Sequence, residues 1–315
     1  MYITFANGAA HRANTIHYSQ FTAMLIALYN RTFQDEDVLF LQHLVGLLDA
    51  ARVQTVFYKS FWERLAPHVP ERVTPRLFTG HADLPRGTDA LLSLGGDGTL
   101  LDTVTFVGAS GIPIIGINLG RLGFLAAVPA EDVEAAVQSL VRGSYTLEQR
   151  SLIHLDASVP LFGDAPFGLN EFTLHRRDSS SMIRVHTYLN GEFLNTYWAD
   201  GLIVATPTGS TGYSLSCGGP VVFPQAASFV ISPVAPHNLN TRSIVVPDDN
   251  VISFEVEGRS EHFLCTLDSR TETITHEVQL AVRRETFSIS LIRPDEQNFL
   301  RTIRQKLYWG VDRRN

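Results

Sequence analysis

The chain is 315 residues long and carries 25 Lys+Arg against 32 Asp+Glu, a formal charge of −7. With 44% hydrophobic and 18% charged residues it is not a disordered chain, and an acidic balance without a basic stripe argues against a nucleic-acid binder. Length predicts two domains at about 150 residues each; no apolar run approaches the roughly 18 residues of a membrane span, Met1–Ala6 lacks the basic flank of a signal peptide, and Cys217 and Cys265 make no disulfide framework, so a cytoplasmic protein without a membrane partner is expected.

The first half reads as alternating strands and helices. Ile3–Ala6 is a short apolar strand. Asp35–Ala51 is a helix, with Val38, Leu41, Leu44, Val45 and Leu48 spaced for one buried face. Strands follow at Val53–Tyr58 and Asp89–Leu94, the second apolar throughout as burial on both faces requires. A Gly-rich turn leads to a helix at Leu100–Val107, then a strand at Ile112–Ile117. A helix at Ala130–Arg142 has Pro129 at its start. This alternation predicts a Rossmann-like α/β domain with a parallel sheet over residues 1–143.

After Gly143 the runs become short and β-branched: 150–157, 171–175, 183–189, 202–205, 229–231, 251–256, 263–267 and 287–291. Asn190-Gly191 between two of them is a strong hairpin signal. Residues 144–292 therefore read as an all-β, sandwich-like domain. The tail, 293–315, contains a helical stretch, Asp295–Tyr308, with Phe299, Leu300, Ile303 and Leu307 on one face. It is expected to pack back on the N-terminal domain.

Two Gly-rich segments carry the chemistry. Leu94-Gly95-Gly96-Asp97-Gly98-Thr99 joins a buried strand to a helix. Its glycines let backbone approach a ligand, and the helix start offers free N–H groups, so the turn can cradle phosphate without a lysine. The only lysines, Lys59 and Lys306, lie outside both segments, so there is no P-loop. Asp97 repels an anion unless a metal intervenes or it accepts a proton from a nucleophile. A plain tight turn, with Asp97 or Thr99 capping the helix, is the competing reading.

The second segment runs from Asp200 to Ser216. Four hydroxyl residues and two glycines lie between Thr206 and Gly212, which suits a sugar edge or phosphates. Tyr213 can stack on a base or sit in the core. Asn170-Glu171 opens an apolar strand with polar groups, where polarity is costly. A carboxylate there can accept from two ribose hydroxyls, although on these residues alone an edge-strand turn is the favoured reading. His262-Phe-Leu-Cys265 lacks a partner pair, and no residue is assigned as a metal ligand.

Together these stretches resemble the NAD kinase family. The resemblance rests on Leu94–Thr99, Gly116-Ile-Asn-Leu-Gly-Arg-Leu-Gly-Phe-Leu125, Leu169-Asn170-Glu171, Ala199–Ser216, Gly218-Gly219-Pro220 and the 232–247 stretch, in order over about residues 88–292. The Gly-Gly-Asp-Gly turn is shared with lipid kinases and phosphofructokinases; the later motifs are more specific. The resemblance implies transfer of the γ-phosphoryl group of ATP to the 2′-hydroxyl of the adenosine ribose of NAD, with a divalent metal such as Mg²⁺. A homodimer or homotetramer is also implied. A lipid or sugar kinase of the same superfamily, or a non-catalytic dinucleotide sensor, is the alternative.

By position, the resemblance implies Asp97 as proton acceptor and Gly95, Gly96, Gly98 and Thr99 as the phosphate cradle. Asn170, Glu171 and Asp200 would hold the dinucleotide. Thr211, Gly212, Tyr213, Ser214 and Ser216 would line its pocket, with Ala235 approaching from a later loop. Arg121 and Phe124 would border the site. Three departures stand out: Gly212 where the family often has Ala, Asp268-Ser269-Arg270 where it often has Asp-Gly-Gln, and the loop Pro233–Asn238.

Overall fold

The computed structural model describes residues 24–70, 75–120, 123–177, 181–294 and 299–309. The strand expected at Ile3–Ala6, and Arg121, lie outside them.

The N-terminal half is a parallel sheet of β1 (Leu25–Tyr29), β2 (Gln54–Tyr58), β3 (Arg76–Phe78), β4 (Ala90–Leu94) and β5 (Ile114–Asn118), with β6 (Val128–Pro129) beside β5. Its order, β5-β4-β1-β2-β3, is that of a mononucleotide-binding half. Four helices connect it: α1 (Val38–Ala50), α2 (Lys59–Leu65), α3 (Asp97–Val107) and α4 (Val133–Arg142). Leu41, Leu44, Val45 and Leu48 of α1 are buried as their spacing predicts, with α4 packed on the same side of the sheet. Gly143 closes α4 in the left-handed region, at φ 67°.

Four N-terminal elements escape the sequence reading: β1, α2, β3 and the two-residue β6. The uninterrupted apolar run of β1 is the signature of a strand buried on both faces. Helix α3 also starts earlier than expected, at Asp97. The order in which strands are added switches sides between β1 and β4, and the Gly-rich turn after β4 opens at that switch point.

The C-terminal half contains β7 (Tyr145–Ala157), β8 (Phe167–Gly168), β9 (Glu171–Arg176), β10 (Ile183–Leu189), β11 (Glu192–Ala199), β12 (Gly201–Ala205), the single-turn α5 (Tyr213–Ser216), β13 (Ser228–Val234), β14 (Ile244–Pro247), β15 (Ile252–Glu257), β16 (His262–Leu267), β17 (Arg270–Thr275) and β18 (Leu280–Pro294). Asn190 and Gly191, at φ 50° and 83°, turn β10 into β11. Strands β14-β13-β12-β9-β16-β17 form an antiparallel sheet whose inner face packs on the other strands through Phe172, Leu174, Phe229, Phe254 and Phe263.

The β-rich half is not a closed sandwich. Strand β18 pairs with β15 and β7 and then joins the parallel sheet, with Leu291 opposite Ile114 of β5. Among the described residues one twelve-stranded sheet thus runs through both halves. A second join is apolar: Leu100 and Val104 of α3 share a core with Leu152, Phe167, Leu169 and Ile289. Leu169 immediately precedes Asn170, so the helix that begins at Asp97 packs against the segment leading into the Asn-Glu pair. Helix α6 (Phe299–Leu307) bridges the halves from outside, with Phe299 against Phe223 and Lys306 over the ring of Phe124 at 5.7 Å.

Candidate active site

The turn after β4 is built around Gly95 and Asp97. Gly95 has φ 146°, and a Cβ there would lie 2.5 Å from Thr99 Oγ1, so only glycine fits. Gly96 takes the N-cap position of α3, and no side chain caps the helix. The capping readings of Asp97 and Thr99 are therefore corrected. Asp97 instead reaches across to the segment between β5 and β6. The N–H of Phe124 donates to its Oδ2 at 2.8 Å, and those of Leu125 and Ala126 donate to Oδ1 at 3.0 and 2.9 Å. Gly123 makes this approach possible, since a Cβ on it would sit 1.8 Å from Asp97 Oδ1. Three of about four lone-pair directions on the carboxylate are used. The second one on Oδ2 remains, and the side chain is half-exposed.

Gly96 and Gly98 face open space, with no heavy atom within 4 Å of an added Cβ. Among the described residues Arg31, after β1, is a basic residue at this turn; its guanidinium pairs with Asp102 and leans on the Gly98 carbonyl. The sequence does not point to Arg31, because it lies 66 positions before Asp97 and is brought near by the parallel sheet.

The second constellation lies on the outer face of the antiparallel sheet. Alternation along β9 puts Glu171, Thr173 and His175 on that face and Phe172 and Leu174 in the core. The Thr206–Ser216 segment folds over it. Thr206 anchors both ends of the crossing: its N–H donates to the Asn170 carbonyl at 2.8 Å and its hydroxyl to the Leu169 carbonyl at 2.6 Å. Gly209 lies directly on Asn170, where a Cβ would come within 2.0 Å of the carbonyl oxygen. Gly212 lies over Glu171, with a Cβ position 3.0 Å from Oε2.

Asn170 and Glu171 are held from behind by Asp268, in the tight turn between β16 and β17. Asp268 accepts from the N–H groups of Leu169, Asn170 and Glu171 at 2.8, 2.8 and 3.1 Å. Arg270 donates to the carbonyls of Ala165 and Phe167 and lies over the Phe162 ring at 5.6 Å. It supports the backbone leading to the Asn-Glu pair.

The functional ends of that pair are left unpaired. Glu171 is only 9% exposed, and neither its Oε2 nor Asn170 Oδ1 has a hydrogen-bond partner. Burial, reinforced by Asp268, pushes the Glu171 carboxyl up to about 8. Burial raises the Asp268 carboxyl as well, against the pull of its three N–H donors and the nearby Arg270; Glu171 has no such donors.

Farther along the face, Tyr213 stacks on His175 at 5.7 Å with rings 14° apart. Burial moves His175 below its ordinary value, against the pull of Asp200. Asp200 itself pairs with Arg176 at 3.0 Å. Ala235, next to Val234 and hence beside the β12 start, sits at φ 45°, a conformation unusual for a residue with a Cβ. Two of the expected pocket residues have partners within the protein. Ser214 is fully buried and bonded to Ser232 at 3.0 Å. The Thr211 hydroxyl donates to the Thr208 carbonyl at 3.0 Å and closes its own turn. Ser216 lies exposed at the end of α5.

Two family models match the chain: the ATP-NAD kinase N-terminal domain over residues 47–145 and the ATP-NAD kinase C-terminal domain over residues 169–293. The chain belongs to the NAD kinase family. An NAD kinase of Cytophaga hutchinsonii is 50% identical across 93% of this chain and all of its own length, and one of Flavobacterium psychrophilum is 44% identical at the same coverage. Among solved structures, yeast NADH kinase complexed with NADH superposes with a TM-score of 0.82 at 24% identity, covering 93% of this chain and 90% of its own. An Archaeoglobus fulgidus NAD kinase in complex with ATP gives 0.67 at 23%, covering 91% and 99%. These two establish the shared fold. The family's N-terminal match contains the Asp97 turn, and its C-terminal match contains the Asn170–Glu171 pocket.

No helix among the described residues is long and apolar enough to cross a membrane.

Proposed function

We propose that this member of the NAD kinase family transfers the γ-phosphoryl group of ATP to the 2′-hydroxyl of the adenosine ribose of NAD. The observation that carries the acceptor side is the pair of buried, unpartnered atoms, Asn170 Oδ1 and Glu171 Oε2. A buried polar atom without a partner costs about 1–3 kcal/mol, a cost that a ligand with hydroxyl donors removes. Glu171 accepts from ribose hydroxyls, and Tyr213 with His175 forms a flat wall for a base. On the donor side, the open N–H groups at Gly96 and Gly98 receive phosphate at a helix start.

Asp97 meets the acceptor hydroxyl through its remaining Oδ2 lone pair. The three N–H bonds fix the direction of that lone pair. Phosphoryl transfer is largely dissociative, so the hydroxyl needs orientation first and loses its proton late. Asp97 supplies both.

Among the described residues no three His, Cys, Asp or Glu side chains cluster to hold a metal ion. Asp102 is engaged with Arg31 and Tyr29, and Asp97 keeps one Oδ2 direction. In this reading Mg²⁺ would arrive with the triphosphate, as it commonly does. A cytoplasmic homodimer or homotetramer belongs to the same proposal; edge strand β11 exposes Phe193 and Trp198 for such a contact.

The test is incubation of the purified protein with ATP, Mg²⁺ and NAD, with NADP read by glucose-6-phosphate dehydrogenase. NADP formation is expected, and its absence overturns the reading. Asp97→Asn should keep NAD affinity and lose at least about 10² in turnover, the scale of a missing general base.

A further inference from the structure

Between the two constellations runs a chain of charges, buried at Arg150 and partly buried at Glu148 and Arg293. Arg293, on β18, donates from Nη1 to the Leu125 carbonyl at 3.2 Å and from Nε to Glu148 Oε2 at 2.8 Å. The same Glu148 oxygen receives Arg150 Nη2 at 2.8 Å, and Gln225 donates to the other oxygen at 3.3 Å. Arg150 Nη1 then reaches the Thr208 hydroxyl at 3.3 Å. Leu125 is one of the residues whose N–H holds Asp97, and Thr208 lies in the turn that folds over Asn170 and Glu171.

Stability alone does not account for this arrangement. Arg150 is 2% exposed and its Nε has no partner. A buried arginine with an unmade bond is less stabilising than a packed apolar side chain of the same volume. What the chain does supply is geometry: each guanidinium is planar and grips two groups at fixed angles. The sheet continues through β18 at this point, so a shift of one half against the other strains these bonds first.

We propose that Arg293, Glu148 and Arg150 are positioning residues that hold the Asp97 loop in register with the Thr206–Gly212 turn, so that the acceptor hydroxyl and the donor phosphate meet in line. This rests on the reading of the two constellations as donor and acceptor sides. Arg293 and Thr208 do not touch each other in this chain of contacts and are linked by the side chains of Glu148 and Arg150, so non-additivity between them reports on that chain.

The experiment is a kinetic double-mutant cycle on the full-length protein with Arg293→Met and Thr208→Val, with kcat and both KM values measured from NADP formation and the thermal midpoint measured in parallel. Each single variant should lower kcat roughly tenfold or more, since a misplacement of about 1 Å can cost about 10²-fold. Each KM should stay within about twofold. The double variant should lose little beyond the worse single one, and Thr208→Ser should recover most of what Thr208→Val loses. Losses in kcat that multiply, as for independent sites, overturn the proposal. So does a fall in thermal midpoint with kcat unchanged, and so does a Thr208→Ser variant as slow as Thr208→Val. If the wild type makes no NADP, the functional reading fails instead. Glu148→Gln, which keeps shape and removes the charge, provides a second variant if Arg293→Met does not fold, with the same outcomes.

Discussion

The two Gly-rich regions solve opposite problems. Around Asp97 the carboxylate is held within the protein, with one Oδ2 direction left: three N–H groups point at it, and Gly123 gives way to let it in. Around Asn170 and Glu171 the backbone is equally well held, by Asp268 and Thr206, yet the side-chain ends are buried and unpaired. A site that must orient a reacting group is satisfied in advance, whereas one that must discriminate a ligand keeps its unmade bonds for that ligand. Discrimination by such a pocket is steep, because the wrong ligand leaves those bonds unmade.

The largest expected effect attacks the preorganised side. Gly123→Ala leaves Asp97 in the sequence but puts a methyl where its carboxylate lies. Turnover should fall by about 10², as for Asp97→Asn, with NAD affinity kept; normal NADP formation by this variant would break the contrast. Next is the support of the acceptor pocket. Asp268→Ala leaves the N–H groups of Leu169, Asn170 and Glu171 without their acceptor, at about 1–3 kcal/mol for each buried group left unmade. Denaturant unfolding should show the loss, and KM for NAD should rise.

Smaller, but with a definite sign, is the pH response of the ligand-free protein. Glu171 keeps its proton to about pH 8 in the folded state, against an ordinary value of 4.5. Between those limits the folded protein binds more protons than the unfolded chain, so this group's contribution to stability falls as pH rises, by about 1.4 kcal/mol per unit. Glu171→Gln should remove that slope, and its thermal midpoint should gain on the wild type from pH 5 to pH 8. A constant gap between the two proteins over that range would place the charge elsewhere. The smallest effect is Gly212→Ala. Its Cβ would meet Glu171 Oε2 at 3.0 Å, a free end that can give, and the Gly209 carbonyl oxygen at 3.2 Å, a contact that a shift of a few tenths of an ångström relieves. KM for NAD should change less than about threefold, and a larger change would make Gly212 part of the rigid framework.

Much of this was legible in the chain itself. Periodicity located α1 and α4, continuous apolar runs located β4 and β5, and Asn190-Gly191 marked its hairpin, because each signal is local. The turn at Asp97 and the Asn170-Glu171 pair were visible as polar and Gly-rich interruptions of apolar strands. His175 was also within reach, since strand alternation puts it on the Glu171 face. The role of Arg270 was not: its departure from the family pattern could be seen, but its acceptors, Ala165 and Phe167, lie about a hundred positions away.

What the amino-acid order determined by itself is the kind of chemistry: where backbone can approach a phosphate, and which side chains are polar at a cost. Tertiary structure decided which of those groups are spent and which are left open. Ser214 and Thr211 have the right chemistry and are consumed by Ser232 and Thr208. Asp97 is turned from its own helix to a loop 27 residues on. The physical reason is that a hydrogen-bonding group shows its capacity in sequence, but its partner is set by packing between segments that only the joined sheet brings together.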